Sequence, residues 1–186
     1  MRKSSRTTDA TRSRFIQAFC KLYKEKPISK ITVKEITDLA GYNRSTFYEY
    51  FDDVYALLEY MEDEMIATGM KKITTFQLDS PDFNKQFMLA FSEVLQEHEN
   101  YSVLLLQNGV ESDFCRKIGK RIIPAIKEHY HVTEDNKKAE FALQFCLTGM
   151  ITIMTRWLKN PEELPIEDIG SLLHGLWCEG LLAQLG

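Results

Sequence analysis

The chain has 186 residues, of which 44% are apolar, 27% charged and 11% aromatic, with a formal net charge of −4. This composition excludes collagenous, low-complexity and disordered classes and fits one or two small domains with a proper core. Nine glycines and five prolines are few enough to disfavour a turn-rich all-β design. No run of about 18 apolar residues is present, so no bilayer span is predicted. The basic N-terminus MRKSSRTTDATRSR has no apolar stretch behind it that would make a secretory signal.

The charge is unevenly shared. Residues 1–50 carry eleven Lys/Arg and five Asp/Glu, whereas residues 51–186 carry twelve and twenty-two. Such asymmetry is the pattern of a chain adapted at one end to a polyanion, although a solvated surface with a basic tail gives the same count.

In chain order, residues 1–8 read as a disordered polar tail. Phe15, Ile16, Phe19, Cys20, Leu22 and Tyr23 follow a helical period over Asp9–Lys24, and Pro27 stops that helix. Thr32 with Glu35 three residues on predicts a capping box, opening a short helix with Val33, Ile36 and Ala40 on one face and Leu39 beside them. Gly41 suits the turn, and Asn43 is a good N-cap for a second short helix, Asn43–Tyr50, whose buried side is Phe47 and Phe51. Asp52 and Asp53 then cap a longer helix to about Thr75. Helices are also predicted from Pro81 and Asp82 through Leu95, over Glu111–Tyr130 with a kink at Pro124, over Asp135–Lys159 and over Ile166–Leu185. Tyr101–Leu106 is a short apolar stretch between them. No segment sustains strand alternation, so the fold class is all-α with about nine helices.

Cys20, Cys115, Cys146 and Cys178 are far apart in sequence and sit among apolar residues, which predicts reduced core thiols rather than a metal or redox motif. His98, His129, His131 and His174 form no Glu-x-x-His or His-x-x-x-His pair, so no metal site is expected. There is no Gly-x-Ser-x-Gly elbow, Walker motif or other catalytic constellation, and no enzymatic activity or cofactor is expected.

Two short helices joined across Ala40-Gly41 form a helix-turn-helix. With Phe47 and Phe51 inward, Arg44, Ser45, Tyr48 and Glu49 must project outward. A guanidinium, a hydroxyl and a phenol on one exposed face suit base edges and phosphates of a duplex. The stretch ITVKEITDLAGYNRSTFYEYFDDVYALL, residues 31–58, resembles the TetR/AcrR family of bacterial transcriptional regulators. Thr32, Val33, Ala40, Gly41, Asn43, Arg44, Thr46, Phe47, Tyr48 and Phe51 fill that family's pattern.

The resemblance implies a DNA-binding domain over residues 9–55 and a helical effector-binding and dimerisation domain over 56–186. It implies that Thr32, Lys34, Asn43, Arg44, Ser45, Thr46, Tyr48 and Tyr50 meet DNA, and that a homodimer acts on a palindromic operator, most simply as a ligand-responsive repressor in the cytoplasm with no membrane partner. Many family members carry a Lys where this chain has Val54, and here Asp52 and Asp53 precede it; basic residues Arg2, Lys3, Arg6, Arg12 and Arg14 form a candidate arm that would replace the lost phosphate contact. The same departure keeps open a protein-interaction module or coactivator with weak DNA binding. The last two helices, rich in residues such as Phe141, Phe145, Leu172, Leu176, Trp177 and Leu181, correspond to the family's dimer interface, or else to intrachain core. Met61, Met65, Phe87, Phe91, His98, Tyr101 and Phe114 are candidate lining for an apolar or aromatic small-molecule effector, and are equally the composition of an ordinary core.

Overall fold

The computed structural model describes residues 5–73, 83–106 and 112–176. Among these residues the chain forms nine α-helices and one 3-10 turn, with no strand. It divides into two compact units, Met1–Glu64 and Met65–Gly186.

The first unit is built on α1 (Ser5–Glu25), α2 (Val33–Ala40), α3 (Arg44–Tyr48) and the first half of α4 (Val54–Ile73). Helix α1 begins four residues before the expected start at Asp9, because no Gly or Pro interrupts the chain from Ser5 onward. Arg12 and Arg14 are therefore helical positions, not parts of a loose arm. The apolar stripe of α1 is buried as its spacing predicts, with Phe15 and Phe19 fully enclosed and Ile16 and Cys20 beside them. Burial also pushes the Cys20 thiol up to about 11, which keeps it protonated. Pro27 stands at the start of the 3-10 turn Ile28–Lys30, and extended Ile31 leads into α2.

The capping box of α2 is present in full: the Thr32 hydroxyl accepts from the Glu35 N–H, and the Glu35 carboxylate accepts from the Thr32 N–H at 3.0 Å. Its buried face is Ile36, Thr37 and Ala40. Leu39 is 56% exposed, against the expectation that it flanks this face. At about 100° per residue it falls roughly a sixth of a turn outside the buried arc. Thr37 takes its place, and its hydroxyl donates to the Val33 and Lys34 carbonyls at 2.9 and 3.0 Å, so burying it leaves no orphan donor. Gly41 closes the helix at φ 75°, ψ 33°, the left-handed geometry in which a side chain is strained.

The second unit contains the rest of α4, α5 (Phe83–Glu97), α6 (Ser102–Leu106), α7 (Asp113–His129), α8 (Lys137–Lys159) and α9 (Ile166–Gly175). Met154 on α8 packs with Ile169 and Leu173 on α9, and Phe91 of α5 with Trp157 covers that cluster. The Trp157 indole N–H donates to the Leu164 carbonyl at 3.0 Å, tying the end of α8 to the loop before α9. Helix α7 runs through Pro124. Helix α8 starts two residues later than expected because Asn136, not Asp135, caps it, its side chain accepting from the Ala139 N–H at 3.0 Å. Cys115 is buried and Cys146 half-buried, both as free thiols. Pro81, Asp82, Trp177, Cys178 and Leu181 lie outside the described residues, as does any continuation of α9 toward Leu185.

Helix α8 is long and apolar enough to cross a bilayer by length and composition, with an 18-residue window of mean hydropathy 1.3. Counting uninterrupted apolar runs misses it because Thr148, Thr152 and Thr155 punctuate the helix. Thr152 and Thr155 turn their hydroxyls back onto the carbonyls of Thr148 and Ile151. Only 22% of that window is buried within the chain, so α8 is an amphipathic helix with an uncovered apolar side.

Candidate nucleic-acid interface

The first unit holds α3 by one side chain above all. Phe47 is fully buried, with its ring centroid 5.3 Å from Phe15 and 5.6 Å from Phe51. Burying such a ring contributes about 1.5–3 kcal/mol, enough to fix a five-residue helix that has little stability of its own. The period of the helix then decides what faces water. Arg44, Ser45, Tyr48 and Glu49 are exposed, as the sequence predicts, and Thr46 is half-buried. Tyr48 is 55% exposed, its ring edge-on to Phe47 at 5.8 Å.

The start of α3 is tightly bonded. The Asn43 side-chain oxygen accepts from the Thr46 N–H at 2.9 Å, from the Thr46 hydroxyl at 2.9 Å and from the Ser45 hydroxyl at 2.7 Å. Helix α3 itself spans Arg44–Tyr48, shorter at both ends than the expected Asn43–Tyr50. Asn43 is its cap. Tyr50 lies in the turn beyond it, half-buried, its ring 6.0 Å from Phe15.

Thr32 and Lys34, at the start of α2, are exposed. Directly after Lys34, Glu35 accepts from the Lys26 ammonium at 2.5 Å. This bond, with those from Thr32, holds the Glu35 carboxyl down at about 2. Lys26 is a partner that sequence spacing did not offer, since the 3-10 turn after Pro27 brings it back across nine positions.

The two acidic residues after Phe51 differ. Asp53 is a cap, accepting from the Ala56 N–H at 2.8 Å, while Asp52 is exposed. Val54, the position at which the resemblance leads one to expect a Lys, is buried at 6% exposure. The Arg12 guanidinium lies 4.8 Å from the Tyr60 ring centroid and 5.8 Å from that of Tyr50, and its Nε is enclosed without a hydrogen-bond partner. Arg12 is also 3.6 Å from the Asp9 carboxylate. It is a packing residue of α1, a role that no local sequence signal marks.

The seven candidate effector residues do not form one group. Met61 is buried in the first unit. In the second, Met65, Tyr101 and Phe114 are buried, and Phe91 packs on the Met154 cluster. His98 and Tyr101 do come together: the Tyr101 hydroxyl and His98 Nδ1 are 2.7 Å apart, and His98 Nε2 lies 2.9 Å from the Thr68 hydroxyl. The side chain of Phe87 lies outside the described residues. An open groove of about 400 Å³ runs between α7 and α8, with Ile123, Pro124, Leu147 and Ile151 as apolar lining and Arg116 and Lys120 as cations. None of the seven lines it.

The family described as "Bacterial regulatory proteins, tetR family" matches residues 15–61, which covers the end of α1 through the start of α4. An uncharacterized HTH-type transcriptional regulator, YxbF of Bacillus subtilis (strain 168), is 23% identical over 121 residues. That alignment spans 63% of this chain and 32% of the relative, so the chain corresponds to about a third of that protein. Among solved structures, a tetR-family transcriptional regulator from Streptomyces coelicolor superposes with a TM-score of 0.54 at 17% identity, covering 95% of this chain and 87% of the other. The fatty acid degradation regulator FadR from Bacillus halodurans gives 0.55 at 16% identity, with 97% and 98% covered. At such identities these two likenesses speak to the fold.

Proposed function

We propose, from the match of residues 15–61 to the tetR family of regulatory proteins, that the chain is a TetR-family transcriptional regulator, a homodimeric repressor that reads a palindromic operator and is released by a small molecule. In this reading residues 9–55 bind DNA and residues 56–186 dimerise and bind the effector, in the cytoplasm where the DNA is. Thr32, Lys34, Asn43, Arg44, Ser45, Thr46, Tyr48 and Tyr50 are the proposed contacts. The observation that carries the reading is the two-sidedness of α3: Phe47 is fully buried while Arg44, Ser45 and Tyr48 stand in solvent behind it. A helix held by its back leaves its front for a major groove.

Dimerisation is supported by four side chains. Phe141 and Phe145, one turn apart on α8, are 78% and 77% exposed, and Leu172 and Leu176 on α9 are 47% and 54% exposed. Two such pairs on adjacent helices fit a self-complementary two-fold contact. The symmetry matters because palindrome half-sites lie about 34–36 Å apart. A small-molecule effector is supported by the groove between α7 and α8, whose size falls within the usual range for ligand clefts and whose lining mixes apolar and cationic groups.

Selection of duplexes from a random pool by the purified protein, followed by a mobility shift with the winning sequence, tests the reading. A palindromic consensus bound at least tenfold more tightly than random competitor is the expected result. Absence of any preferred duplex at low ionic strength overturns it and favours the interaction-module alternative.

A further inference from the structure

Residues 65–186 carry twelve Lys/Arg against sixteen Asp/Glu, yet five of those twelve cations, Arg116, Lys117, Lys120, Arg121 and Lys127, fall on the 17 residues of α7. Arg116 and Lys120, four apart and so on one face of the helix, line the groove of about 400 Å³ between α7 and α8. No Asp or Glu is among the residues that line it. A groove on an acidic unit thus presents two cations and no carboxylate. Its floor is apolar: Cys115 and Leu147 are buried, and Ile123 and Ile151 are half-buried beside them. Arg116 and Lys120, by contrast, are exposed at its rim. Part of the hollow is owed to Gly119, where α7 passes α8. A Cβ at that position would lie 3.6 Å from Leu147 Cδ2, an ordinary contact, and without one the space stays open.

We propose that this groove takes an amphipathic anion, a small molecule whose apolar body lies on the Cys115–Leu147 floor and whose carboxylate or sulfonate head meets Arg116 and Lys120. The inference rests on the reading that the α7–α8 groove holds the effector, and adds the ligand's charge to it. Burial of apolar surface supplies affinity but scarcely separates ligands that share a body. The head decides the class. An anion gains charge-assisted hydrogen bonds from a guanidinium and an ammonium, a neutral head gains weaker ones, and a cation is repelled by both. Arg116 also meets the Asp113 carboxylate, which does not line the groove. Both partners of that pair are exposed, and such a pair holds too weakly to keep the guanidinium from a second anion. On the α8 wall the Gln144 amide donates to the Thr148 hydroxyl at 3.3 Å, so the polar groups there are neutral and do not oppose an anionic head.

Two fluorescent probes test the assignment on the full-length chain. Anilinonaphthalene sulfonate and phenylnaphthylamine share one apolar body and differ by the sulfonate. In titrations at neutral pH and low ionic strength, the wild-type protein is expected to bind the sulfonate about tenfold more tightly, the scale of one hydrogen bond to a charged group. Arg116→Gln combined with Lys120→Gln is expected to bring that ratio near one and to leave the neutral probe nearly unchanged. Both side chains are exposed, so this variant should melt like the wild type. Lys137→Gln combined with Lys138→Gln removes the same charge from exposed positions outside the groove and is expected to keep the ratio. Gly119→Leu extends a side chain into the hollow and is expected to weaken both probes about fivefold or more through lost apolar contact. Thr148→Phe fills the groove from the opposite wall with the same expected result.

A wild-type ratio near one, with both probes weakened by the filling variants, overturns the anionic class and leaves the groove as a ligand site. A ratio lowered as much by the Lys137 and Lys138 changes assigns the preference to overall charge and also overturns the proposal. Binding of both probes unaltered by Gly119→Leu and Thr148→Phe removes the groove as a site, and the effector reading there falls with it.

Discussion

The ring of Phe15 meets the ring of Phe47 edge-on, with centroids 5.3 Å apart and planes at 72°, and neither side chain has any exposed surface. One ring belongs to α1 and the other to α3, so this pair ties the helix that faces solvent to the helix that supports it. Edge-to-face geometry adds about 0.5–1.5 kcal/mol beyond the area buried. Phe47→Ala is expected to cost about 3–5 kcal/mol, measured by denaturant unfolding, because it leaves a cavity that the flanking rings of Phe15 and Phe51 cannot fill. DNA binding should fall with it. A loss below 1 kcal/mol would mean that α3 is held by something else.

Arg44→Ala and Tyr48→Phe should behave in the opposite way. Both side chains point into solvent, so thermal stability is expected to stay nearly unchanged. Tyr48→Phe retains the edge contact with Phe47 and removes only the hydroxyl. Loss of Arg44 should reduce operator affinity by about 1–3 kcal/mol if it pairs with a guanine. Loss of the Tyr48 hydroxyl should cost about 1 kcal/mol if it donates to phosphate. Titration by fluorescence anisotropy at one fixed ionic strength reads both, and wild-type affinity in both variants would refute the contact assignment.

Glu35 gives a pH signature. The hydrogen bond from Lys26, then those from Thr32, hold its carboxyl at about 2, below its ordinary 4.5. A depressed carboxylate stabilises the fold fully above its unfolded value, and that contribution is lost as pH falls from about 4.5 toward 2. Glu35→Gln should therefore lower the melting temperature at pH 6 and converge on wild type near pH 2. Thermal melts of both proteins across that window provide the check. Parallel curves would show that the Lys26 pair does not persist in solution. Because the carboxylate is exposed, the effect should also shrink at high salt.

If α8 carries the proposed dimer contact, Phe141→Glu with Phe145→Glu should leave a monomer at micromolar concentration in sedimentation velocity runs. Both rings are more than three-quarters exposed in the single chain, so the fold of that chain should survive the change. Sedimentation of the wild-type protein as a monomer would remove this surface as the dimer contact.

The all-α class and the helix-turn-helix were legible because short-range rules decide them. The capping box of Thr32 and Glu35, Gly41 in the left-handed region and the Asn43 cap each follow from residues within four positions of one another. Phe47 was legible as buried because it is the apolar side chain of the short helix and helical period sets Ser45 and Glu49 on the opposite face, whereas Arg44, three positions before it, owes its exposure to its place in the first turn. Leu39 was misjudged because an apolar residue beside a buried arc resembles one within it. Arg12 read as a free cation because the two rings that receive it, Tyr50 and Tyr60, are distant in sequence. The Lys26–Glu35 bond was illegible for the same reason, since it depends on how the 3-10 turn folds back. The candidate effector residues were the least legible, because an apolar side chain looks alike in a core and in a pocket.

The basic balance of the first fifty residues overstates what a duplex would encounter. Arg12 is spent on two aromatic rings and the Asp9 carboxylate, and Lys26 is spent on Glu35. Cations already engaged within the fold displace no condensed counterions when DNA arrives. The ionic-strength dependence of the complex is therefore set by the remaining cations, Lys34 and Arg44 among them, and should be shallower than the residue count suggests.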